Sequence, residues 1–210
     1  MNHDDFKFEP VRGLPEALPE GEHILWQGRP SAWRLAVEAL SLPWVAGYFV
    51  LLAVWRVGVS STQLPLGQAM LHAVPFLLIG AVCCAVIMGL AFVQSRATVY
   101  TLTNKRVGMR IGAALTMTLN LPYTQIGSAS LATRRSGTGT IAFELLGDTR
   151  LSYAMTWPHI RPWHMARTQP ALRCIPNARE VAEIFAEAAE IRTSVPQITR
   201  SPAPTAIAAE

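Results

Sequence analysis

The segment Trp157-Pro-His-Ile-Arg-Pro-Trp-His-Met-Ala-Arg167 packs two Trp, two His, two Arg and two Pro into eleven residues. Trp and Arg are the side chains that most often anchor interfaces. Proline stiffens a segment and removes backbone donors. This chemistry suits docking, so Trp157, His159, Arg161, Trp163, His164 and Arg167 are the candidate partner-binding residues. The plainer alternative is a connection whose aromatics cover the edge of a sheet. His159 and His164 have no Cys, Asp or Glu beside them. A metal site needs three or four converging ligands, so neither a metal nor a cofactor is expected there.

Other reactive side chains are sparse. Cys83, Cys84 and Cys174 lack metal-ligand spacing and read as small packing residues in a reducing compartment. His72 lies at the end of an apolar run, a position that suits an interfacial residue better than a chlorin ligand. The segment 96–167 holds only Glu144 and Asp148 as acids. It has no phosphate-binding glycine loop, nucleophile elbow, paired carboxylates or HExxH. No catalytic residue is expected, and the chain reads as non-enzymatic.

The elements that position the Trp-Pro-His segment are set by charge. Between Glu38 and Arg96 the one charged residue is Arg56. Leu71 to Val93 is an uncharged run of 23 residues, roughly 34 Å of helix against a ~30 Å hydrocarbon core. Ala39 to Trp55 is shorter and contains Pro43. It extends if Arg56 snorkels to the interface. A two-helix transmembrane hairpin over 35–94 follows, with spans at about 37–59 and 71–93. Arg29 and Arg34 precede the first span, and Arg96, Lys105, Arg106 and Arg110 follow the second. The connecting loop 57–70 has no Lys or Arg. The positive-inside rule puts both termini in the cytoplasm and the loop outside. Arg96, Lys105, Arg106 and Arg110 are also candidate membrane-surface residues. Anionic headgroups attract such groups by about 1 kcal/mol each. The same residues serve equally as topology determinants and solvated strand faces.

Residues 1–34 read as an acidic N-terminal arm, the first 28 carrying six acids and two bases. Next, the short apolar patch of Glu20-Gly-Glu-His-Ile-Leu-Trp-Gln-Gly-Arg-Pro30 could form a strand or an interfacial foot. Residues 94–192 hold twelve bases and six acids, so the arm could fold back on them. That excess is too modest for nucleic acid. From Thr98 the apolar residues alternate: Tyr100 and Leu102; Val107, Met109 and Ile111; Met117, Leu119 and Leu121; Ile141, Phe143 and Leu145; Leu151, Tyr153, Met155 and Trp157. Period-2 patterning marks antiparallel strands with one buried face, here a small barrel or sandwich. A helix follows, with Asn177 as N-cap, Glu180 at N3 and an apolar stripe Val181, Ile184, Phe185, Ala188 and Ile191. Residues 193–210 are Pro-, Ala- and Thr-rich and read as a disordered tail.

Tyr100-Thr-Leu-Thr-Asn-Lys-Arg-Val107, Leu121-Pro-Tyr-Thr-Gln-Ile126 and Ile175-Pro-Asn-Ala-Arg-Glu-Val181 resemble the pleckstrin-homology (PH) domains of small bacterial membrane proteins. The resemblance covers roughly 96–190. It implies an α+β membrane protein: a hairpin, then a PH-like domain over 95–192 capped by its C-terminal helix. Such domains are binding modules with varied partners. Further segments resemble the PuhB family of photosynthetic reaction-centre assembly proteins of purple bacteria. They are Asp4-Asp5-Phe-Lys-Phe-Glu-Pro10, Leu14-Pro-Glu-Ala-Leu-Pro-Glu-Gly-Glu-His-Ile-Leu-Trp-Gln-Gly28, Tyr153-Ala-Met-Thr-Trp-Pro-His-Ile-Arg-Pro-Trp163 and Gln169-Pro-Ala-Leu-Arg-Cys-Ile-Pro176. That resemblance implies binding to nascent reaction-centre subunits, with effects on the core antenna. The wider PH family implies instead a general lipid- or protein-binding scaffold. A homodimer through the hairpin is allowed by the pattern, though no spacing requires it.

Overall fold

The computed structural model describes residues 11–113, 115–147 and 151–194. Strand β1 (Ile24–Gly28) and a short helix α1 (Ala32–Glu38) lead to helix α2 (Leu42–Ser60). A short helix α3 (Leu66–Leu71) precedes α4 (Val74–Ala97). Strands β2 (Val99–Thr103), β3 (Arg106–Ile111) and β4 (Met117–Pro122) follow, then β5 (Ile126–Thr133) and β6 (Gly139–Leu145). A helical turn α5 (Tyr153–Thr156), strand β7 (Ala171–Ile175) and helix α6 (Ala178–Ser194) complete the chain.

Helices α2 and α4 are long and apolar enough to cross a membrane, and few of their apolar side chains are buried. They are displaced a few residues from the expected spans. Pro43 and Pro75 sit in their first turns, where a missing backbone donor costs nothing. Pro43 thus starts α2 instead of shortening a longer helix, and Ser41, at φ 57°, turns the chain from α1 into it. The two helices touch closely at Gly80. A Cβ there would stand 2.7 Å from Phe49 Cβ, so glycine is what lets them meet.

The soluble part is built from both sides of the hairpin. β1 pairs antiparallel with β2, giving one sheet ordered β1-β2-β3-β4. The second sheet is β5-β6-β7. The two ladders are separate and form no closed barrel. Their inner faces and α6 enclose the core, centred on Tyr100, Met109, Phe143, Leu172 and Phe185. The segment 24–28, first placed within the arm, is therefore a strand of the domain's sheet.

The alternation at Leu151–Trp157 does not make a strand. β6 already has β5 on one side and β7 on the other, so no free edge remains there. The residues close α5 instead, with the Thr156 backbone N–H donating to Ser152 O at 3.1 Å. α6 begins at Ala178, and Asn177 sits at φ 51°. Asn177 Nδ2 donates to Glu180 Oε2 at 3.4 Å. Its stripe is Ala178, Val181, Phe185 and Ala188, whereas Ile191 is exposed. The helix runs through Ser194, and the rest of the expected tail lies outside the described residues.

β2 is buried on both faces. Tyr100 and Leu102 point into the core. Val99, Thr101 and Thr103 meet the arm and β1: Gly13 lies against Val99, Gln27 Nε2 donates to Thr101 Oγ1, and Thr103 Oγ1 donates to Glu22. Arg106 Nε donates to the same carboxylate at 2.9 Å, and that side chain is 3% exposed. The arm thus folds back on the sheet over its described residues. Glu22→Ala removes the acceptor for two donors and leaves a half-buried guanidinium. We expect a loss of about 2 kcal/mol and faster tryptic cleavage at Arg12, read by limited proteolysis. Unchanged proteolysis would mean that other contacts hold the arm.

Candidate docking site at the hairpin base

The Trp157–Arg167 loop begins where α4 ends. Thr98, the residue after α4, is fully buried, as is His159 at 1% exposure. Thr98 Oγ1 donates to Gln94 O at 2.8 Å, so its oxygen is left to accept from His159 Nε2 at 3.1 Å. On the other ring edge, Tyr100 Oη lies 2.6 Å from Nδ1. Tyr100 Oη itself accepts the Arg173 backbone N–H at 3.4 Å. The chain of donors therefore runs Arg173, Tyr100, His159, Thr98, Gln94. It fixes a neutral imidazole with its proton on Nε2.

Burial and the neighbouring Arg173 lower the His159 pKa from its ordinary 6.5 to about 3. Burial likewise pushes the Tyr100 hydroxyl well above its usual range. Both shifts hold the network in its uncharged form.

Arg173 ties this network to the hairpin. It is buried, and it donates from Nη1 to Pro158 O and from Nη2 to Glu38 O, each at 3.3 Å. The Glu38 carboxylate also receives Arg134 Nε at 2.6 Å and the Cys174 thiol at 3.8 Å. Burial, then Glu38, pushes the Cys174 thiol up to about 12, so it stays protonated. The Ser31 backbone N–H donates to Cys174 O, and Ser95 Oγ donates to Pro30 O. The base of the hairpin, β7 and the start of the loop are thus one hydrogen-bonded unit.

The candidate residues separate on this frame. His159 is an internal pin and cannot contact a partner while folded, which corrects its place among the binding residues. Trp157, 44% exposed, and Trp163, 87% exposed, face outward with Met155 and Met165. Trp163 sits at φ 65°, a left-handed conformation rare for a bulky side chain. His164 Nδ1 closes that turn by donating to Pro162 O at 2.9 Å. Arg161 Nη1 donates to Gln169 Oε1 and Ser130 Oγ, which braces the loop against β5. Arg167 is exposed. The result is a loop braced by internal hydrogen bonds that exposes Trp157, Trp163 and Met165.

The membrane-surface set also divides. Arg96, in the last turn of α4, lies 4.7 Å over the Phe92 ring. Arg110 pairs with Val99 and is buried. Lys105 and Arg106 stand at the opposite end of β2, roughly 17 Å from Thr98 at 3.3 Å per residue. There they bind Glu20 O and Glu22, so these two hold the arm and stand away from the foot of α4. Sequence reading missed Thr98, Tyr100, Arg173, Glu38 and Arg134. They meet across up to 135 positions, and no local signal links them. Among the described residues no cluster of His, Cys, Asp or Glu could hold a metal ion.

A sandwich of two antiparallel sheets with a packed C-terminal helix, joined to two long apolar helices, belongs to the bacterial PH domain family, whose model matches residues 39–189. An uncharacterized 23.7 kDa protein in the puhA 5′ region of Rhodobacter capsulatus is 46% identical over 207 residues, covering 96% of this chain and 95% of that protein. A crystal structure of a DUF1696 family protein with a PH domain, from Shewanella loihica, matches 44% of this chain and 71% of its own, at 12% identity and a TM-score of 0.30.

Proposed function

We propose that this chain is a non-enzymatic assembly factor of the bacterial cytoplasmic membrane. In this reading α2 and α4 cross the bilayer, both termini are cytoplasmic, and the PH-like domain binds nascent photosynthetic reaction-centre subunits at the cytoplasmic face. The observation that carries it is the loop that exposes Trp157, Trp163 and Met165 and is tied by His159 and Arg173 to the foot of the hairpin. A docking face fixed there meets partners whose own chains emerge from the same membrane. The loop 61–73 has no Lys or Arg, while Arg29, Arg34 and Arg96 flank the other ends, which supports the orientation. The relative's location in the 5′ region of puhA, a photosynthesis gene, supports the choice of partner. So does its match along nearly the whole of both chains.

The family description also accommodates a general lipid- or protein-binding scaffold. The near-infrared absorption spectrum of a deletion strain separates the two. The assembly reading expects reduced reaction-centre bands, with any change in core antenna following. An unchanged spectrum would leave the scaffold reading in its place.

A further inference from the structure

A cavity of about 680 Å³ opens between the β5–β6 turn and the first turns of α6. This lies within the ~300–1,000 Å³ range of small-molecule sites. Arg134, Arg135, Arg179, Glu180 and Glu183 line it, with Thr133 among the remaining residues. Its position is set by Arg134, which binds Glu38 at 2.6 Å. Glu38 ends α1, four residues before the start of α2. If α2 crosses the membrane as proposed above, the cavity lies at headgroup depth.

The charges in the cavity are of two kinds. Arg134 is already neutralised by Glu38. Arg135, Arg179, Glu180 and Glu183 make no ion pair within 4.0 Å among the described residues, and Glu180 accepts one hydrogen bond from Asn177. Arg179 and Glu183 are spaced i, i+4, but with the base N-terminal to the acid, the weaker order. Two guanidinium forks suit a phosphodiester. Two carboxylates suit a primary ammonium, which offers three donors. An anionic headgroup would satisfy the first pair and be repelled by the second. A quaternary amine offers the carboxylates no hydrogen bond.

We infer that this cavity binds the phosphoethanolamine headgroup of a membrane lipid, with phosphate on Arg135 and Arg179 and ammonium on Glu180 and Glu183. The inference rests on the membrane-spanning reading of α2 and α4.

The test uses the full chain reconstituted into phosphatidylcholine vesicles doped with phosphatidylethanolamine or phosphatidylglycerol. Flotation is scored first, and then the lipids retained in detergent are counted by native mass spectrometry. Phosphatidylethanolamine should be retained over the other two. Arg135→Gln with Arg179→Gln should cut that retention about tenfold while flotation and the thermal midpoint stay as in the parent. Glu180→Gln with Glu183→Gln should shift retention toward phosphatidylglycerol. Soluble glycerophosphoethanolamine should compete, and inorganic phosphate should not. Flotation without lipid preference, retention unaffected by the Arg variant, or displacement by phosphate alone would overturn the site. Failure of the parent chain to float would overturn the spanning reading, and the site with it.

Discussion

Replacing His159 by Ala lowers the unfolding free energy by about 3–5 kcal/mol. The imidazole is buried and both nitrogens are engaged. Its removal leaves the Tyr100 hydroxyl proton without its acceptor and Thr98 Oγ1 without its donor, and leaves a buried cavity where the ring was. A loss of that size is a large part of the ~5–15 kcal/mol that holds a typical domain. Tyr100→Phe, which removes the hydroxyl's two hydrogen bonds, to His159 Nδ1 and from the Arg173 backbone N–H, and almost no volume, should cost about 2–3 kcal/mol. The same residue makes the parent chain acid-sensitive. In the folded protein its pKa is about 3 and in the unfolded chain 6.5. Above the unfolded value both states are neutral and the stabilisation is complete. As pH falls from 6.5 toward 3, the unfolded state takes up a proton that the folded state refuses, so stability is lost across that window. Between pH 7 and pH 5 the loss is about 2 kcal/mol. Denaturant titrations of the full chain in detergent at the two pH values measure it, with near-ultraviolet circular dichroism reporting the soluble domain. His159→Ala should abolish that His-dependent part. An equal slope in parent and variant would remove His159 as its source.

The sequence speaks clearly where one physical signal dominates. Apolar length without charge marks α2 and α4. Period-2 alternation marks β3, β4 and β6, because each turns one face to the core and one toward solvent or the arm. β7 shows no alternation because its register with β6 is irregular, with Cys174 at φ 53°, so that Leu172 and Ile175, three apart, are its core residues. β1 is separated from its partner β2 by the entire hairpin, so its neighbour could not be read locally. At the candidate site, composition singled out the right loop, since Trp, Pro and Arg are dense there. Composition could not tell which side chains turn inward. His159 and His164 are the same residue type five positions apart. One is the buried pin and the other closes an outer turn through Pro162. That difference is made by Thr98 and Tyr100, some sixty residues upstream. The pairing of Arg110 with Val99, and of Arg106 with Glu22, likewise decides which bases stand near the foot of α4.

Trp157→Ala combined with Trp163→Ala should leave the protein folded and its cellular abundance normal while reducing reaction-centre yield. The separation follows from where each ring sits. Trp163 is 87% exposed and Trp157 44% exposed, so together they contribute only about 1 kcal/mol to folding. A Trp at the centre of an interface typically contributes about 2–4 kcal/mol to binding. Losing one such anchor weakens docking by roughly 30- to 1,000-fold. His159 and Arg173 continue to hold the loop in place, so the double variant removes the contact and keeps its scaffold. His164→Ala, which opens a turn and removes no anchor, serves as the mild control. Immunoblotting of membranes gives the factor's abundance, and near-infrared absorption gives the reaction-centre yield. Normal bands in the double variant at normal abundance would move the docking surface away from this loop. Reduced bands together with reduced abundance would point to folding, and the His159→Ala denaturation curve supplies the scale for that comparison.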